Sequence, residues 1–120
     1  MPSEGRVRLK LYGIRNCDSC RRALQWLQSH GAEHEFHDLR EEQLSRGLLD
    51  DWLASEYGPS LLNRRSTTWR QLPDEQKQLA DRDPAALLLQ HPTLIKRPVI
   101  TDGELIVAVG FDPVRLEAFL

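Results

Sequence analysis

The amino-acid sequence predicts an α/β fold with a βαβ opening, a helical middle, and a closing β-hairpin followed by one last helix. Three observations carry that prediction. Apolar and polar residues alternate over 7–14, the two-residue period of a strand. Cys20, Ala23, Leu24 and Leu27 then recur at helical spacing until Gly31. Near the end, Asp102-Gly103 stands between two strand-like apolar runs, a tight-turn signal.

Each element follows from its residues. In the first strand Val7, Leu9 and Leu11 alternate with Arg8, Lys10 and Tyr12. Asn16 and Asp18 offer N-cap chemistry for the helix that follows, and Gly31 is its expected stop. A second strand is expected over 36–39. Leu44, Leu48, Leu49, Trp52 and Leu53 form one apolar helical stripe, weakened by Gly47. Asp83-Pro84 is a helix entry, a capping residue and then proline at the first helical position, leading into 85–89. The hairpin pairs 99–101 with 105–109 around Asp102-Gly103. Asp112-Pro113 opens a final short helix with Leu116 and Phe119 on one face. Strand, helix, strand, helical block, hairpin, helix is the thioredoxin-like order, with a helical insertion over about 41–92.

The chain has 120 residues, the size of a single domain spanning 1–120. A 40% hydrophobic content supplies a core that needs neither metal nor disulfide to fold. The net charge of −2 argues against a broad nucleic-acid surface, so no direct nucleic-acid partner is expected. The polar start and the shortness of the first apolar run read as neither a signal peptide nor a membrane span, so a cytoplasmic location is expected. In a reducing compartment, two cysteines point to catalysis or metal binding rather than to a permanent staple.

Those cysteines form Cys17-Asp18-Ser19-Cys20 at the passage from strand to helix. The thiolate is the nucleophile, and an ordinary thiol with a pKa near 8.5 is mostly protonated at neutral pH. A helix start favours an anion through its unpaired backbone N–H groups, and Arg15, Arg21 and Arg22 add positive charge nearby. Cys17 is therefore the expected nucleophile. Cys20, one helical turn later, is placed to resolve a mixed disulfide on it. A rival pattern is Cys17-x2-Cys20, thirteen residues, then His34-x2-His37, close to a Cys2His2 zinc spacing. Gly31 ends the helix before either histidine, and on a strand residues three apart face opposite ways, so no metal is expected.

Four segments in order complete the reading: 11–18 (Leu-Tyr-Gly-Ile-Arg-Asn-Cys-Asp), Leu61-Leu62-Asn63 with Thr67-Thr68-Trp69-Arg70, Ile95-Lys96-Arg97-Pro98, and Gly110-Phe111. Together they resemble the arsenate reductase (ArsC) family, most closely its Spx/YffB-like branch. The resemblance implies a thioredoxin-like core with a helical insertion, Cys17 as nucleophile, Arg97 facing it as an anion clamp, and a cis peptide bond before Pro98. Substrate binding is expected of Arg65 and Arg64, with Asn16 and Pro98, and no bound cofactor is expected. Arg65 matches the arginine of that branch's Asn-x-Arg-x-Thr-Thr-Trp motif.

Departures from the family's arginine triad point away from arsenate itself. Asn63 stands near the expected first arginine, and Asp112, of the opposite charge, near the third. The implied activity is a thiol-dependent reduction of a small thiol or oxyanion substrate, with glutathione as co-substrate. The alternative is an Spx-like, redox-switched transcriptional regulator that binds RNA polymerase.

Overall fold

The computed structural model describes residues 8–120; Val7, expected in the first strand, lies outside them. The described chain forms two compact units, one made of 8–38 with 97–120 and the other of 39–96.

The first unit is a four-stranded sheet with two helices. Its strands are β1 (Arg8–Gly13), β2 (Glu33–Asp38), β3 (Val99–Asp102) and β4 (Leu105–Val109), arranged in the order β2-β1-β3-β4. Helix α1 (Asp18–Ser29) links β1 to β2, which run parallel, as a crossover connection requires. β1 pairs antiparallel with β3, and β3 with β4. This mixed sheet is the thioredoxin-like arrangement that the element order predicts. Leu9 and Leu11 of β1 meet Ala23 and Leu27 of α1, with Ile100, Ala108 and Leu116, in one fully buried cluster. Each such Leu or Ile contributes about 1.5–3 kcal/mol by leaving water.

Three local details differ from the sequence expectation. β2 begins at Glu33, three residues before the expected start, because backbone pairing with β1 (Arg8 opposite Glu33) recruits a polar stretch without apolar alternation. The hairpin turn is Gly103-Glu104, since Asp102 closes the ladder opposite Leu105. A bulge between Ile100 and Thr101 offsets the register there. At the end of α1, Gly31 (φ 63°) permits a tight reversal: the Ala32 N–H donates to the Leu27 carbonyl at 2.9 Å and the Gly31 N–H to that of Gln28 at 3.2 Å. The final helix, here α7 (Pro113–Phe119), buries Leu116 but leaves Phe119 partly exposed.

The second unit is helical. It contains α2 (Arg46–Ala54), α3 (Gly58–Leu61), α4 (Thr67–Gln71), α5 (Asp74–Arg82), α6 (Pro84–Gln90) and a 3-10 turn (Pro92–Leu94). α2 packs on α3 and α6, and α5 packs on α6. Leu49, Trp52, Leu61, Leu87, Leu88, Leu94 and Ile95 are buried there. Leu44, expected on the stripe of α2, precedes the helix, because the Ser45 hydroxyl accepts from the Leu48 N–H and fixes the start. None of the described helices is long and apolar enough to cross a membrane.

Candidate functional site

The site is built where β1 hands the chain to α1. Gly13 ends the strand, Ile14 is buried, and Arg15 and Asn16 lie exposed in the turn. Cys17, not Asn16 or Asp18, occupies the N-cap position, with extended backbone (φ −137°, ψ 125°) and its carbonyl accepting from the Arg21 N–H at 2.9 Å. Asn16 lies too early in the turn to cap, and Asp18 instead pairs with Arg21 inside the first helical turn. The Cys17 side chain makes no capping hydrogen bond. Its half-exposed sulfur therefore sits at a helix start without being consumed by the helix.

Cys20 lies on the buried stripe of α1 and is fully buried. Cys17 and the Ile14 N–H are its electrostatic neighbours. Burial pushes the Cys20 pKa up from 9.0 to about 11, helped by Cys17 and opposed by the Ile14 N–H and the charge of Arg97. At neutral pH Cys20 is therefore a protonated thiol beside a more accessible Cys17.

Arg97 enters at the same end of the sheet, from the segment that leads into the neighbouring strand β3. Tyr12 pairs with Val99, so the Arg97-Pro98 dipeptide emerges beside the end of β1 that leads to the cysteines. Arg97 is half-buried and within electrostatic reach of Cys20. The Arg97–Pro98 bond is cis, as the family resemblance implies, and the Pro98 carbonyl accepts from the Gly110 N–H at 2.8 Å. The structure thus brings Cys17, Cys20, Arg97 and Pro98 together at one end of the sheet, with Asn16 in the adjoining turn. One contributor carries no obvious sequence signal. A β-carbon on Gly13 would stand 2.4 Å from Cys20 Sγ, so the bare backbone there makes room for the second sulfur.

Arg64 and Arg65 belong to the helical unit. Both are exposed in the loop before α4; the Arg65 N–H donates to Asn63 Oδ1 at 3.0 Å, and the Arg64 guanidinium lies 5.0 Å from the Trp69 ring centre. Both line an open groove with Ser60, Asn63 and Lys96. Lys96 comes into the groove through its place opposite Leu61, a pairing that local sequence pattern does not show.

The zinc-like pattern comes apart in three dimensions. His34 and His37 both lie on β2, three residues apart and hence on opposite faces. His34 Nδ1 contacts the Ala32 carbonyl at 2.8 Å, while His37 stacks on Tyr12 and approaches Glu35.

A sequence model of the ArsC family matches residues 12–119, which include every segment of the dithiol site. The chain belongs to the ArsC family. The solved structure of a YFFB protein is 37% identical and superposes with a TM-score of 0.83, covering 92% of this chain and 96% of that one. An arsenate reductase (ArsC) related protein from Brucella melitensis is 38% identical with a TM-score of 0.70, over 93% of both chains. The global transcriptional regulator Spx of Streptococcus pyogenes serotype M3 is 31% identical over 107 residues, 88% of this chain and 79% of its own length. Within the ArsC family, the Spx/YffB-like relatives and the thioredoxin-like fold agree with the motif-based reading.

Proposed function

We propose that this ArsC-family protein is a thiol-dependent reductase, acting as one cytoplasmic domain over 1–120, with Cys17 as its nucleophile. One observation carries the reading: a partly exposed cysteine free of capping bonds at the start of α1, with the buried Cys20 one turn along the same helix. The Cys17 thiolate attacks one sulfur of an oxidised thiol substrate. A bond forms from Cys17 to that sulfur, the substrate's S–S bond breaks, and the other sulfur leaves as a thiolate. Glutathione, as co-substrate, or Cys20 then attacks Cys17 and releases the reduced substrate. The two electrons come from the two thiols that end as a disulfide.

Arg97 stabilises the negative charge that develops at the sulfurs, while Pro98 and Asn16 shape the approach. Arg64 and Arg65 supply cations for an acidic substrate. Arsenate is not the preferred substrate, because Asp112 stands near the place where the family's third arginine would fall. In this chain it caps α7 by accepting from the Arg115 N–H at 3.1 Å.

The test is glutathione-dependent reduction of a small disulfide. The Cys17→Ser protein is expected to fall to background, and the Cys20→Ser protein to retain turnover at a reduced or rerouted rate. Wild-type turnover by Cys17→Ser would sink the assignment. A second reading is favoured by the 31% identity to Spx together with the neighbouring thiols. In it, closure of the Cys17–Cys20 disulfide alters a surface that binds RNA polymerase. Capture of the polymerase in only one redox state, with no disulfide reductase turnover, decides for that reading.

A further inference from the structure

Two distant stretches of the helical unit are laced into a short antiparallel ladder. Leu62 bridges Ile95, the Asn63 N–H donates to the Leu94 carbonyl at 2.8 Å, and the Lys96 N–H donates to the Leu61 carbonyl at 2.7 Å. Beside it opens a groove of about 390 Å³, within the size range of small-molecule sites. Its polar lining is Ser60, Asn63, Arg64, Arg65 and Lys96, and no carboxylate contributes. The ladder thus holds two arginines from one strand and a lysine from the other around one opening.

Among the described residues, none of these three cations has a carboxylate partner, whereas Arg8, Arg21 and Arg46 each have one. The local sequence agrees. Between Glu56 and Asp74 there is no acidic residue, while Arg64, Arg65 and Arg70 all occur. Like charges gathered across a ladder repel one another, and a carboxylate nearby would relieve that repulsion. Here none does. Arg64, one of the residues lining the groove, lies over the Trp69 ring, which Lys77 also approaches, and that contact restrains its guanidinium.

We propose that this groove is a binding site for a small molecule bearing at least two acidic groups. Arg64 and Arg65 take one group in their planar forks, Lys96 takes the other as a point charge, and Ser60 and Asn63 offer hydrogen bonds. The proposal rests on the reductase reading for its purpose, as it deepens the substrate-binding role of Arg64 and Arg65. It does not rest on that reading for its chemistry. The acidic groups are carboxylates, as in a small peptide, or phosphates.

Calorimetric titration with two probes distinguishes those sources. S-methylglutathione carries two carboxylates and a blocked thiol, and inorganic pyrophosphate carries phosphates alone. At least one is expected to bind the reduced protein, and the one that binds identifies the source. Affinity should fall steeply as salt rises. The Arg65→Gln/Lys96→Gln double variant should lose at least tenfold in affinity, while Arg82→Gln, outside the groove, binds as the wild type does. The Cys17→Ser protein should bind undiminished although its turnover is gone. Binding by neither probe, or equal binding by the double variant, overturns the proposal. Probe binding through the groove by a wild-type protein without turnover removes the reductase reading alone.

Discussion

A β-carbon added at Gly13 would lie 2.4 Å from Cys20 Sγ and 3.3 Å from a Leu11 methyl, closer than packed atoms tolerate. Gly13 is the last residue of β1 and pairs with Asp38 of β2, so the strand cannot readily withdraw. The Cys20 sulfur must give way instead. Moving it loosens its contacts with the Ile14 N–H and with Cys17, which now hold it in place. Gly13→Ala is therefore expected to fold at a cost of roughly 1–3 kcal/mol from overpacking. It should also slow closure of the Cys17–Cys20 disulfide by oxidised glutathione severalfold, while alkylation of Cys17 by iodoacetamide proceeds. Mass spectrometry reads both reactions, and closure at the wild-type rate would show that Gly13 does not seat the sulfur. The two cysteines are legible in the sequence from their spacing and their place before a helix. Gly13 is not, because alternation along β1 says nothing of how closely a helix sulfur approaches the strand's end.

Four helices begin on a side chain that accepts a backbone N–H: Ser45 for α2, Ser66 for α4, Asp83 for α6 and Asp112 for α7. Helix α1, with Cys17 at that position, does not. Helices α3 and α5 also start without such a cap, on Tyr57 and Pro73, so what sets α1 apart is the sulfur at its cap position. Asp112→Ala should accordingly destabilise the protein by about 1 kcal/mol, lowering the melting temperature by ~4 °C. Asp112→Ser, which keeps an acceptor, should recover most of that loss. Identical melting of the alanine and serine variants would count against the capping role. Asp83-Pro84 and Asp112-Pro113 are readable in the sequence because cap and proline together specify a helix entry. α3 and α4 are not, since four and five residues are too few to show a period. α5 has no buried residue and so displays no apolar stripe. β2 begins in Glu33-His34-Glu35, where backbone pairing with β1 decides and side-chain pattern cannot.

Among the described residues, ionisation is clearly displaced at Cys20, Arg46 and Asp83, and these act on opposite limbs of the stability curve. Hydrogen bonds from Arg46 hold the Asp83 carboxyl below its ordinary range, so the pair stabilises the fold above that range and is lost as pH falls through the lowered value. Both side chains are exposed enough for salt to weaken this acid limb. The alkaline limb is different, because Cys20 is fully buried. Its pKa is raised in the folded state from 9.0 to about 11, so the folded protein keeps a proton that the unfolded chain releases. That contribution is complete below pH 9 and is lost as pH rises toward 11, with a slope of at most about 1.4 kcal/mol per pH unit. Urea unfolding under reducing conditions at pH 8 and at about pH 10.5 measures it. The wild type should lose about 2 kcal/mol more than Cys20→Ala across that interval. Cys20→Ala removes the buried thiol, so the difference between the two proteins reports on it. Parallel losses would mean that Cys20 ionises without opening the core, and its part as a protonated neighbour of Cys17 would fall with that result.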